Sequence, residues 1–167
     1  ETLIAAIGQG YYLATLLQQA LLLMAIANGG IIYKPILVDK VLAENGQVQE
    51  NFPPQVLRTV YLAPAAWDII RRGLEEVTTT GTAAAVFRGF KPTAAGKTGS
   101  AETGRGTTHS WFACYAPAAD PQIVVAALVE DGGDGSVAAA PVVRKVLDAY
   151  FGRPPAKVSV PPPGTTD

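Results

Sequence analysis

Three strand-like runs crowd the C-terminal part of this 167-residue chain, and the links between them are short. The runs cover residues 93–101, 110–115 and 123–129, joined by a Gly/Thr-rich segment at 102–108 and a turn-like one at 116–121. Parallel neighbours need a crossover of a dozen or more residues, whereas antiparallel neighbours join through a turn. The runs therefore predict three adjacent antiparallel strands. The last, Ile-Val-Val-Ala-Ala-Leu-Val, is continuously apolar, the pattern of a strand covered on both faces. Helical segments before and after the strands supply that cover. The expected fold class is α/β of the α+β type: an antiparallel sheet flanked by helices on both faces.

Thr15 and Gln18 have capping-box spacing, and the apolar run behind them stops at Asn28-Gly29-Gly30. This helix is apolar on nearly every side and is expected at the centre of the core. A β-branched stretch, 31–42, follows, and Asn45-Gly46 before Val48 reads as a hairpin turn. Pro53-Pro54 break the pattern. Pro64 opens a second helix at its first position, with Trp67, Ile70, Leu74 and Val77 facing inward. Arg71/Glu75 and Arg72/Glu76 are expected as i,i+4 pairs on its solvated face. Thr82 is expected to cap a short helix through Val86. Ser136 is expected to cap a final helix to about Phe151, with Val143, Val146, Leu147 and Tyr150 inward. Residues 1–151 read as one portion of a domain, and 152–167 as a proline-rich mobile tail.

Composition narrows the function. Hydrophobic residues make up 49% of the chain, enough for a packed core, and the net charge is −1, with no basic run. Nucleic acid is not an expected partner. The longest apolar run is too short to span a bilayer, and no signal peptide is visible. The chain begins at Glu1, inside an apolar segment, and reads as a piece of something longer. Any membrane contact is expected only through an upstream anchor. Cys114 is the only cysteine, which rules out an internal disulfide or a cysteine metal cluster, and its apolar neighbours predict a buried structural thiol.

The chemistry-bearing stretch is Lys97-Thr98-Gly99-Ser100, followed by Ala101-Glu102. A nucleotide-binding loop ending at Gly96-Lys97-Thr98 would need glycine where Lys91 stands, and a helix afterwards. His109, the only histidine, lies at a strand start and has no sequence-adjacent partner; a structural or polar-rim role is expected. Glu130, Asp131 and Asp134 do not have calcium-loop spacing, and the interleaved glycines indicate a turn. No metal or cofactor is expected.

Lys-Thr-Gly is one of the active-site motifs of β-lactamases and penicillin-binding proteins. Around it the chain resembles the C-terminal part of the transpeptidase domain of class B, elongation-type penicillin-binding proteins. Contributing stretches are Ile7-Gly8-Gln9-Gly10-Tyr11 with Ala14-Thr15 and Gln18, and Ala25-Ile26-Ala27-Asn28-Gly29-Gly30 with Pro35. They continue with Gly81-Thr82-Ala83, His109-Ser110-Trp111-Phe112 with Tyr115-Ala116-Pro117, and Ser136-Val137-Ala138-Ala139 with Pro141 and Arg144-Lys145-Val146. The order is the family's own.

The resemblance implies peptidoglycan cross-linking through a serine acyl-enzyme, with D-Ala-D-Ala stem peptides as substrate and β-lactams as trapping analogues. Lys97 would supply positive charge. Thr98 and Ser100 would hold the substrate's carboxylate and backbone, and the Ser100 N–H would complete the oxyanion hole. Gly99, lacking a Cβ, lets substrate lie against the strand, and Ala101 and Glu102 extend the binding edge. The implied location is the bacterial envelope, on the extracytoplasmic face of the inner membrane.

Two departures stand out. Leu16 replaces the family's usual proline, which touches only a helix start. More seriously, none of Ser100, Ser110, Ser136 or Ser159 has lysine three residues on or asparagine two on. The Ser-x-x-Lys nucleophile motif and the Ser-x-Asn motif are absent, so the missing N-terminal part of the same protein is an expected partner. The alternatives are a D,D-carboxypeptidase or serine β-lactamase, and a non-catalytic β-lactam sensor or binding domain.

Overall fold

A computed structural model of the chain describes residues 2–152. The tail expected at 152–167 lies, beyond Gly152, outside the described residues. Twelve elements follow in order: α1 (Thr2–Ala6), α2 (Leu16–Ala27), β1 (Ile31–Tyr33), β2 (Lys40–Leu42), β3 (Val48–Asn51), β4 (Val56–Thr59), α3 (Pro64–Thr79), α4 (Ala84–Phe87), β5 (Ala95–Glu102), β6 (Thr108–Ala116), β7 (Ile123–Val129) and α5 (Ala139–Tyr150).

The expected sheet is present. β5, β6 and β7 form a three-stranded antiparallel sheet in that order, with Lys97 opposite Ala113 and Ser100 opposite Ser110. Alternation splits the side chains of β6 between two cores. Phe112, Cys114 and Ala116 face α4 and α5, packing with Phe87, Phe90, Val143 and Leu147. Tyr115 and Ala113 face the other way, against Leu23 and Ala27 of α2 and Leu74 of α3. Helices therefore cover both faces. The capping box of α2 forms, with Gln18 N–H donating to Thr15 Oγ1 at 3.2 Å and Thr15 N–H donating to Gln18 Oε1 at 2.8 Å. The Asn45-Gly46 hairpin forms too, joining β2 to β3.

Several expectations change. The stretch 31–42 is not one unit: beyond Tyr33 the chain leaves β1 at Pro35, and β2 belongs to a different sheet. β1 pairs instead with β4, a strand on the far side of Pro53-Pro54. α2 is central only on one side, since Leu17 and Leu22 are more than half exposed. In α3, Arg71 makes no ion pair with Glu75, nor Arg72 with Glu76, among the described residues. Arg71 turns under the helix, and its Nε donates to Ile26 O at 3.2 Å, near the C-terminus of α2 where carbonyls lack helical partners.

Ser136 does not cap α5. The helix starts three residues later, and both N–H and Oγ of Ser136 donate to Asp134 Oδ1 at 2.6 Å within the preceding turn. Val146 and Tyr150 point outward, and Arg144 and Asp148 are buried in their place. Arg144 Nε donates to Asp148 Oδ2 at 2.9 Å, its Nη1 donates to Val86 O at 2.9 Å, and its guanidinium lies 4.9 Å from the Phe90 ring centroid. These partners satisfy a buried charge that would otherwise be costly.

Candidate active site

The motif stands on β5, one of the two edge strands of the main sheet among the described residues. Its inner neighbour holds it in continuous register from Ala95 through Glu102. Lys97 is exposed, and its Nζ donates to Thr98 O at 2.8 Å. A carbonyl engaged by that side chain faces away from β6. Residues two apart on a strand turn their backbone groups to the same side, so the Ser100 N–H also faces the open edge. Gly99 keeps one side of the strand clear, because an added Cβ would meet only Trp111 Cβ, at 3.3 Å.

Thr98 is half-buried, with its Oγ1 3.0 Å from Thr82 Oγ1. Thr82 is not the cap of α4: Ala83 occupies the cap position, with no side-chain hydrogen bond. The threonine hydroxyl instead reaches across to the motif. The sequence places Thr82 at a helix start; the signal that points further is its place in Gly81-Thr82-Ala83. Ala101 is half-buried and Glu102 exposed, and the Glu102 N–H donates to Gln9 Oε1 at 3.3 Å.

The remaining candidates are structural. His109 Nδ1 accepts from the Asp131 N–H at 3.0 Å, and Thr107 Oγ1 donates to Asp131 Oδ1 at 2.6 Å, which ties the β7–α5 turn to the β5–β6 hairpin. Cys114 is fully buried, and burial pushes its thiol well above the ordinary range; it is not a thiolate nucleophile. Burial also raises Tyr115, an effect that Arg71 opposes and Glu75 reinforces. Its hydroxyl is buried with no hydrogen-bond partner among the described residues. No group of three His, Cys, Asp or Glu side chains among the described residues converges as metal ligands would.

Cavities of about 360 Å³ and 390 Å³ open elsewhere, one beside Thr78, Arg88 and Phe90 and the other between α2 and Pro35. Neither includes a motif residue. Among the described residues, the motif strand presents an open edge.

The penicillin binding protein transpeptidase domain matches residues 1–148. Peptidoglycan D,D-transpeptidase MrdA of Haemophilus influenzae is 34% identical over 90% of this chain but only 26% of its own length. PbpA of Mycolicibacterium smegmatis is 35% identical over 87% of this chain and 31% of its own. Among solved structures, Pseudomonas aeruginosa PBP2 in complex with WCK 5153 superposes with a TM-score of 0.77 at 38% identity, covering 97% of this chain and 36% of that one. The imipenem acyl-enzyme complex of penicillin-binding protein A from M. tuberculosis gives a TM-score of 0.77 at 30% identity, covering 89% of this chain and 33% of that one. The chain thus spans between a quarter and two-fifths of these relatives. With its edge-strand Lys-Thr-Gly-Ser and helices on both faces of the sheet, it belongs to the penicillin-binding protein transpeptidase family.

Proposed function

We propose that this chain supplies one wall of the acyl-transfer site of a peptidoglycan D,D-transpeptidase. The supporting observation is the presentation of Lys97-Thr98-Gly99-Ser100 on an open strand edge, with the lysine exposed and the Ser100 N–H directed outward. A serine from the N-terminal part of the parent attacks the carbonyl carbon of the penultimate D-alanine. The carbonyl π electrons move to oxygen, and the Ser100 N–H stabilises that charge. The bond to the terminal D-alanine breaks, its nitrogen takes up the proton given up by the serine hydroxyl, and an acyl-serine remains. An amine from a neighbouring strand then attacks the acyl carbon and forms the new amide, and the proton it loses returns to the departing serine oxygen.

Lys97 supplies positive charge, and the Thr98 and Ser100 side chains hold the substrate carboxylate and backbone. Gly99 admits substrate against the strand, and Ala101 and Glu102 continue the edge. A β-lactam enters by the same route and stays as the acyl-enzyme. The N-terminal part packs on the apolar surface of the first elements, where Leu3, Ile7, Tyr11 and Leu13 are each more than 70% exposed. No helix of the described residues is long and apolar enough to cross a membrane; the site works at the extracytoplasmic face, reached through an anchor elsewhere in the parent. We assign residues 1–151 to the domain and the segment after them to a tail.

The test is product analysis of the complete parent protein given a stem peptide ending in D-Ala-D-Ala and an amine acceptor. Free D-alanine together with a cross-linked product is expected. Free D-alanine without cross-link identifies a carboxypeptidase, and release of neither overturns the reading.

A further inference from the structure

The turn between β7 and α5 lies against the backbone of the motif strand. A Cβ added to Gly135 would stand 2.7 Å from Gly99 O and 2.8 Å from Gly99 N, and would collide with Trp111 O. Side chains in folded proteins do not approach backbone atoms so closely, so the strand or the turn must give way. Gly99 and Trp111 are opposite one another in the β5–β6 ladder, and the next pair is Ser100 and Ser110.

That next pair is held by the same turn. Ser110 is fully buried; its Oγ donates to Asp134 O at 2.8 Å and accepts from the Ala139 N–H at 3.0 Å. Gly133 N–H donates to Thr108 O at 3.0 Å, and the Asp131 N–H donates to His109 Nδ1 at 3.0 Å. The turn is therefore hydrogen-bonded to three consecutive residues of β6, Thr108, His109 and Ser110, and it packs against Gly99 and Trp111. The fourth member of this double rung is Ser100.

We propose that Gly135 is a positioning residue for the oxyanion donor. It acts through Gly99 and sets how far the Gly99–Ser100 peptide stands from α5. This rests on the reading of the Ser100 N–H as that donor. Acyl transfer depends on geometry held to fractions of an ångström, and a misplacement of about 1 Å costs on the order of 100-fold in rate. Substrate recognition through Lys97 and Thr98 tolerates the same shift better, because long or rotatable side chains can follow it.

The experiment measures acylation of the complete parent protein by a fluorescent penicillin, resolving the limiting acylation rate from the affinity of the preceding complex. Gly135→Ala is expected to lower the limiting rate by about 10-fold to 100-fold while affinity changes by less than about three-fold. Val143→Ala, a core truncation in α5 away from the motif, serves as the stability control and is expected to leave the limiting rate within about two-fold while lowering Tm. A limiting rate in Gly135→Ala no lower than in Val143→Ala overturns the proposal. Where Gly135→Ala does not fold, Ser110→Ala decides in the same way, because it releases the turn without adding an atom: a selective fall in limiting rate supports the proposal and an unchanged rate overturns it. Lys97→Ala in the same series separates the two levels. Loss of acylation there with none in Gly135→Ala sinks only the positioning role, whereas no loss in either sinks the underlying site.

Discussion

The hydroxyl oxygens of Thr82 and Thr98 lie 3.0 Å apart, across sixteen residues of chain. One proton serves that contact. On the proposed reading Thr98 donates outward to the substrate carboxylate; its oxygen then remains free to accept from Thr82, and the pair would orient the motif hydroxyl toward the ligand.

The two residues should therefore act as a unit. In the complete parent protein, Thr82→Val should weaken β-lactam affinity by about three-fold to ten-fold, in line with about 1 kcal/mol for a lost hydrogen bond. Adding it to Thr98→Val should cost little more, and Thr82→Ser should restore affinity. A double-mutant cycle on the acylation complex checks this; strictly additive effects contradict the coupling.

The buried Arg144–Asp148 pair predicts an asymmetric stability series. Asp148→Ala leaves a guanidinium buried without its carboxylate and should cost about 3–5 kcal/mol. Replacing both with apolar residues of similar volume should recover most of that loss. Denaturant titration of the single and double variants measures it, and equal destabilisation in both would contradict the account.

Burial of Cys114 predicts alkaline sensitivity. The folded chain keeps the thiol protonated, whereas the unfolded chain releases its proton above roughly pH 8.5. Below that pH the thiol contributes no pH dependence. Above it the folded state binds more protons, and stability falls by about 1.4 kcal/mol per pH unit. Melting curves of the complete domain between about pH 7 and pH 9.5 should show this slope in the wild type and a shallower one in Cys114→Ala. Parallel curves would contradict it. Tyr115, raised by burial, adds a second decline above roughly pH 10.

The absence of both serine motifs predicts that this chain alone is not acylated by penicillin. Intact-mass measurement after incubation with a fluorescent penicillin should show no adduct. A stoichiometric covalent adduct would place the nucleophile within these residues.

The main sheet was readable because its three runs are dense in strand-forming residues and their links are too short for anything but antiparallel neighbours. β4 was not, because Val56-Leu57-Arg58-Thr59 follows two prolines, lies mostly exposed and shows no clear alternation. In α5 the apolar residues mark the inward face only in part. Val143 and Leu147 obey the rule, but Arg144 and Asp148 neutralise one another and take the buried places that Val146 and Tyr150 would have filled. Arg71 escaped the surface-pair pattern for a similar reason: carbonyls at the end of α2 offer it partners that local spacing cannot reveal. The motif residues were legible as a contiguous string. Thr82 and Gly135 were not assigned to the site, since each meets the motif only after the chain has folded back on itself.

In the proposed site Lys97 acts on a reacting group and does not hold the fold. Lys97→Ala in the complete parent tests it, with acylation rate and Tm measured on the same preparation. Lys97 is exposed, and the one hydrogen bond of its side chain among the described residues is to the adjoining residue, so its loss opens no core cavity. Removing a preorganised electrostatic contact typically costs about 2–4 kcal/mol of transition-state stabilisation, so acylation should slow by about ten-fold to a thousand-fold with Tm nearly unchanged. Acylation at the wild-type rate, or a loss of activity matched by loss of the folded state, would contradict the assignment.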